Sequence, residues 1–525
     1  MSDSIHRLAT QFQDRIESVE TDFNNAYWVS QIEASPENDR ARADLELELR
    51  KIMGDAEALE RVNAALAEEI HDPVLKRQLE ILRLGLTGNQ MTDAEREEIV
   101  ELSTQVESEF ANHRAEIDGE KYDDNKIDEV LQSSDDSELR KRVWQASKEV
   151  GTKVAERVRE LVRARNATAR KLGYGDYYQM SLDLEELPEE WLFGVMDELE
   201  RLTDEPFTAW KSQLDERLVQ RFGTTDLFPW HYADPFFQQL PPDGRLSLDD
   251  LFGDASAEAL ALETFGRWDI DLSNVMANSD LYPRDRKCQH AFCIDVDRKK
   301  DVRMLCNVVP GERWIDTMLH ESGHAAYDVF IDHKLPYLLR QPAHTFVTEA
   351  IALMSGALVR DPDWLKQVAG FSADQVDPLA KGLRSATAAA ELLFSRWGLV
   401  MVHFERDLYA DPEGDLDERW WRYVERFQKV RVPEGAAPAG AWASKIHIAA
   451  APVYYQNYLL GNLLAAQLVA TARDEFGGVV GVPETGQMLK ERIFKHGCLY
   501  PWPELIVKAT GRELGASDFV TQWAV

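Results

Sequence analysis

The stretch "SELRKRVWQASKEVGTKVAERVRELVRARNATARKLG", residues 137–173, constrains the fold more than any other. Apolar residues recur through its charged background at heptad-like spacing, and Gly173 closes it. That pattern predicts one long helix packed along a single stripe. Similar helical segments with charged outer faces run from about residue 5 to 220. Residues 222–256 are rich in Pro, Gly and aromatics and read as an irregular connection. In "CQHAFCIDVDRKKDVRMLCNVV", residues 288–309, two β-prone runs flank the polar "DRKK", which predicts a hairpin. Helices then resume to the end, broken by the loop "VPEGAAPAGA" near 432–441. No internal repeat or low-complexity tract is visible, and the predicted fold is mainly α with a small sheet near the middle.

Charge and composition narrow the function classes. The 59 basic and 93 acidic residues leave a net charge of −34, which argues against nucleic acid or an anionic membrane surface as a partner. Such a charge serves solubility and attracts cationic peptides. The N-terminal "MSDSIHRLATQFQDRIESVE" has no apolar core after a basic start, so no signal peptide is expected. "YLLGNLLAAQLVATA" is too short and too interrupted to span a bilayer and reads as a buried helix. Four cysteines in 525 residues make no disulfide scaffold. The expected location is the cytoplasm, where thiols stay reduced.

The chemistry concentrates in "DTMLHESGHAAYDVF", residues 316–330. Residues four apart on a helix lie about 40° from each other around its axis, so His320 and His324 project side by side. Two imidazoles so placed can each meet one ion at roughly 2.0–2.1 Å. Glu321 sits one residue round from His320, where a base for an activated water belongs. A catalytic zinc takes three protein ligands and keeps one open position. Glu349 interrupts the otherwise apolar helical run "HTFVTEAIALMSGALV" (344–359), and a carboxylate on such a helix is costly to bury without a partner or a metal. His320, His324 and Glu349 are therefore the candidate zinc ligands. Asp316, one helical turn before His320, is a candidate to orient an imidazole.

Together these residues resemble the gluzincin peptidases, specifically the angiotensin-converting enzyme (peptidyl-dipeptidase A) family. The likeness to thimet oligopeptidase and oligoendopeptidase F is a more distant resemblance. "RVWQASKEVG", "ARKLGYGDYYQ", "ERWWRYVERF" and the tail "ETGQMLKERIFKHGCLYPWPELIVKATG" are also similar to stretches of the family. The resemblance implies a helical, two-lobed, ellipsoidal peptidase with a deep central channel and a small antiparallel sheet beside the zinc. Residues 1–525 would form a single catalytic unit, with an N-terminal helical segment over about 1–220 and the zinc and substrate site over about 285–460. The implied activity is dipeptide release from the C-terminus of short peptides. An endo-acting oligopeptidase on the same scaffold is the rival reading, and a non-catalytic peptide-binding protein is the rival from another class.

Carried over by position, the resemblance makes Glu321 the general base and proton shuttle. In "SKIHIAAAPVYYQNYLL" (444–460), it gives Lys445 the substrate's C-terminal carboxylate and His447 a hydrogen bond to the peptide. Tyr458 would stabilise the oxyanion and Tyr455 would help hold the carboxylate, if one residue is inserted after His447. Tyr454 competes for these roles. Cys288 and Cys306 have the separation of a family disulfide bracketing a substrate-binding strand, on which His290 and Ala291 would contact the peptide. Three departures stand out. Leu353 replaces an acidic partner of the zinc ligands. Val424 and Asn457 stand where the family holds activating chloride with arginine. The glutamine that helps bind the terminal carboxylate has no clear match, with Tyr232 closest.

Overall fold

The structure is a computed structural model that describes residues 2–241, 246–433 and 435–524. Helices dominate, and those that matter for the site are, in chain order, α1 (Ser2–Ile32), α2 (Ser137–Lys171), α3 (Glu189–Phe222), α4 (Glu312–Phe330), α5 (Thr345–Gly356), α6 (Ala373–Ala410) and α7 (Tyr455–Phe476). Among the described residues two antiparallel two-stranded sheets accompany them, β1 (Ala115–Ile117) with β2 (Glu120–Tyr122), and β3 (Phe292–Asp295) with β4 (Val302–Leu305). The expected hairpin around "DRKK" is thus present, with Phe292 opposite Leu305 and Asp295 opposite Val302. The β1–β2 hairpin interrupts the run of helical segments expected from about residue 5 to 220. Its two-residue turn is Asp118–Gly119, both at positive φ, the pairing that suits the twist of short hairpins.

Helix α2 forms as its stripe predicts. Asp136 caps it by accepting the N–H groups of Glu138 and Leu139, and Val143, Trp144, Val150, Val154, Val158 and Leu161 are buried along it. Among its described residues the connection after α3 is irregular apart from a short turn at Pro229–His231 and a one-turn helix at Asp249–Phe252, and residues 242–245 lie outside the described residues. The loop near 432–441 is also irregular, with residue 434 outside the described residues. "YLLGNLLAAQLVATA" lies within α7 and is largely buried, and no described helix is long and apolar enough to cross a membrane.

The chain divides into two compact units, each assembled from separate stretches. The first comprises residues 1–90, 247–384 and 460–518; the second comprises 91–246, 385–459 and 519–525. In the first, Leu8, Phe12, Leu79, Leu82, Leu86 and Tyr337 build an apolar cluster. In the second, Ile117, Leu131, Val143, Trp144 and Trp230 do the same. Each such large side chain contributes about 1.5–3 kcal/mol when removed from water.

Candidate active site

The metal-ligand candidates all belong to the first unit, on α4 and α5. Helix α4 begins where Gly311 takes φ 130°, and Asp249 accepts the first helical N–H, that of Glu312, at 2.8 Å. Helix α5 is capped by His344, whose Nδ1 accepts the N–H of Phe346 at 3.1 Å. The two helices cross in close contact because residue 323 is glycine. A Cβ there would lie 2.7 Å from the Ala352 Cα and 3.0 Å from the Ala352 N, distances that backbone atoms do not yield to. This approach carries Glu349 up to the imidazole pair.

His320 Nε2 lies 4.0 Å from one Glu349 oxygen, and His324 Nε2 lies 3.6 Å from the other. One ligand atom from each of the three falls within 4.8 Å of the others. Ligands of a tetrahedral zinc with bonds of roughly 2.0–2.1 Å stand about 3.3 Å apart, so the three atoms would draw together, by up to about 1.5 Å between a pair, to hold one ion. Burial pushes His320 down to about 4, and burial with His320 alongside pushes His324 down to about 3. Both rings are therefore neutral at neutral pH, with lone pairs available to a metal. Burial also raises Glu349 to about 7. Two imidazoles and a carboxylate in this arrangement fit zinc.

Glu321 is buried on the same helix. Burial and the Glu349 carboxylate push it up to about 8, opposed by a hydrogen bond from the Cys293 N–H of β3. Strand β3 is therefore fixed beside Glu321. A cavity of about 450 Å³ opens here, lined among others by Ala291, Cys293, Glu321, His324 and Thr348. Ala291 directly precedes β3, whereas His290 is exposed in a bend one residue earlier and is not among the lining residues. Cys288 and Cys306 are free thiols, so the bridge implied by the resemblance is not present. Asp316 makes no hydrogen bond to either imidazole among the described residues. The orienting partner is Thr348, whose Oγ1 lies 2.8 Å from His324 Nδ1. It directly precedes Glu349 in the singled-out "FVTEA", the one signal that could have drawn attention to it.

The remaining candidates belong to the second unit and form a cluster there. Tyr455 is buried, and its hydroxyl accepts the Trp397 indole N–H at 3.1 Å. Burial, the largest cause, pushes it up to about 12. The His447 ring stands 5.4 Å from that of Tyr455, and the Tyr458 ring stands 5.5 Å from the Tyr455 ring. His447 Nδ1 is buried without a hydrogen-bond partner among the described residues. Lys445 donates to Gln238 Oε1 at 3.0 Å. A carboxamide, that of Gln238, therefore stands beside Lys445, whereas Tyr232, the nearest candidate in the sequence, is occupied by Lys211 and Asp215. Asn457 donates to Glu185 at 3.4 Å, placing a carboxylate beside one of the positions expected to lack chloride. The loop before α7 is held by Glu405, which accepts the Val453 N–H at 2.7 Å, and by Arg165, which donates to the Ala449 carbonyl at 2.8 Å. Val453 takes φ 52°, a strained conformation for a β-branched residue.

Two family comparisons bear on this arrangement. The sequence model of the angiotensin-converting enzyme family matches residues 2–208, and that of peptidase family M3 matches residues 277–524. The chain is a zinc-dependent metallopeptidase. Both families are gluzincin metallopeptidases, zinc is the metal they use, and peptides are their substrates. The match over the part of this metallopeptidase that contains His320, His324 and Glu349 is the one to family M3. Among curated proteins, no match to the chain is found.

Proposed function

We propose that this metallopeptidase is a peptidyl-dipeptidase that removes dipeptides from the C-terminus of short peptides, with residues 1–525 acting as a single catalytic unit. The observation that carries this reading is the Lys445–Gln238 pair. The lysine keeps N–H groups beyond the one given to Gln238, and the carboxamide keeps its own NH₂, so together they offer a carboxylate several donors. Tyr455 assists at that end of the peptide.

His320, His324 and Glu349 hold the zinc. Bound zinc lends Lewis acidity and brings the pKa of water down toward 7. Glu321 takes a proton from the attacking water and returns it to the departing amine. His447 and Tyr458 hydrogen-bond the oxyanion that develops on the scissile carbonyl, a contribution of about 2.7–4 kcal/mol for such a donor. Ala291 and His290, leading into edge strand β3, meet the peptide backbone. The four free cysteines agree with a cytoplasmic location.

A second reading on the same scaffold is an endo-acting oligopeptidase, which the match to peptidase family M3 across residues 277–524 leaves equally open. Mass spectrometry of the products from one decapeptide, free-ended and amidated, with and without a chelator, separates the two. The peptidyl-dipeptidase reading expects stepwise dipeptide loss from the free-ended form and little from the amidated one. Equal internal cleavage of both would establish the oligopeptidase, and activity unaffected by the chelator would remove both.

A further inference from the structure

We propose that Lys148 binds a carboxylate of the peptide substrate, as a second ammonium beside Lys445. The proposal rests on the reading of Lys445 as an anchor for the peptide's C-terminal end.

Lys148 stands on α2 and is only 3% exposed. Its Nζ lies 3.2 Å from the centre of the Phe236 ring, and the Lys445 Nζ lies 5.2 Å from the centre of the same ring. Two ammoniums therefore crowd one aromatic side chain. Lys445 has Gln238, but Lys148 has no hydrogen bond and no ion pair among the described residues. The carboxylate acting on it is buried Asp234, whose oxygens already accept the backbone N–H groups of Phe236, Gln238 and Gln239. A cation so enclosed is costly, and an aromatic face offsets only part of the cost. Burial and the neighbouring Lys445 both press Lys148 toward its neutral form, against Asp234. An arriving carboxylate reverses that pressure, because an opposite charge in a dry site favours the ionised ammonium.

The backbone is built to bring the two lysines together. Gly151 lies one turn beyond Lys148, and a Cβ there would lie 2.4 Å from the Gly440 carbonyl oxygen and 2.7 Å from the Ser444 N. Glycine thus allows the 440–444 segment to lie directly on α2. Lys445 is the next residue, so the contact that seats this segment also delivers Lys445 beside Lys148.

The carboxylate has two possible sources, the peptide's α-carboxylate or an acidic side chain at its last position. Four fluorescent decapeptides distinguish them, ending in Ala or Glu, each free or amidated. Binding is titrated against the full-length zinc protein carrying Glu321→Gln, with and without Lys148→Met, Lys148→Gln or Lys445→Met, and melting curves confirm that each variant folds. Lys148→Met should weaken the free-ended Ala peptide about tenfold or more, as loss of a charge-assisted hydrogen bond does, and leave the amidated Ala peptide unchanged. Equal weakening of the amidated Glu peptide assigns the side-chain carboxylate as well. Binding of all four peptides as tightly as before, or weakened uniformly, overturns the proposal. If Lys445→Met leaves the preference for free ends intact, the C-terminal anchor reading fails, and the amidated Glu peptide alone then decides Lys148. Lys148→Gln provides the same comparison should the Met variant not fold.

Discussion

At the scale of single residues, the environment of Glu321 matters as much as its identity. It is buried beside Glu349, hydrogen-bonded by the Cys293 N–H, and opens onto a cavity large enough for part of a peptide. Glu321→Gln keeps shape and burial while removing the proton acceptor. Zinc content measured by atomic absorption should be unchanged, while kcat falls by about 10²–10⁴-fold; substantial residual turnover would contradict the base assignment. A pH effect belongs to Glu405, far from the ligands in sequence. Burial, opposed by the Val453 N–H and Arg165, raises its folded pKa from 4.5 to about 8. Between these values the folded state holds a proton that the unfolded state has released, so stability is full below about 4.5 and declines as pH rises toward 8. Glu405→Gln, which can still accept the Val453 N–H, should melt like the parent near pH 4.5 and above it at pH 8.5. A constant difference across that range would count against this. His320, Glu321 and His324 were legible because helical spacing alone puts them together, and Glu349 because a carboxylate on an apolar helical run needs a partner or a metal. Thr348, Gln238 and Lys148 were not, because their roles come from contacts between distant stretches, and a lysine on a charged helix reads as solvated until its neighbours are known.

Elements set how well those residues meet. The Gly323 crossing of α4 and α5 has backbone on the far side, so Gly323→Ala cannot be absorbed by a side-chain rotation. The expected cost is about 1–3 kcal/mol, as for other overpacked sites. It should appear as a lowered Tm together with weaker zinc binding in a chelator competition; a variant matching the parent in both would remove the crossing from the account. The same scale shows where periodicity fails as a guide. The 35-residue helix α2 and the β3–β4 hairpin were readable, one from its apolar stripe and the other from two β-prone runs around a polar turn. Strands β1 and β2 span three residues each, too few for alternation to register, and only the Asp118–Gly119 pair marked them.

For the molecule as a whole, charge and chain order have separate consequences. A net charge of −34 makes the long-range field attractive to cations. For a lysine-rich peptide, kcat/KM should fall as ionic strength rises from about 0.01 to 0.15 M, over which the screening length shortens from roughly 30 to 8 Å. A neutral peptide of equal length should be nearly insensitive, and parallel behaviour of the two would show that the field plays no part. The interleaving of the two units bears on biosynthesis. The metal triad comes from residues 320–349, but the unit containing it also draws on residues 460–518. A ribosome must therefore translate through the whole intervening stretch before that unit can close, and a nascent chain arrested ahead of residue 460 would carry all three proposed zinc ligands in an incomplete unit.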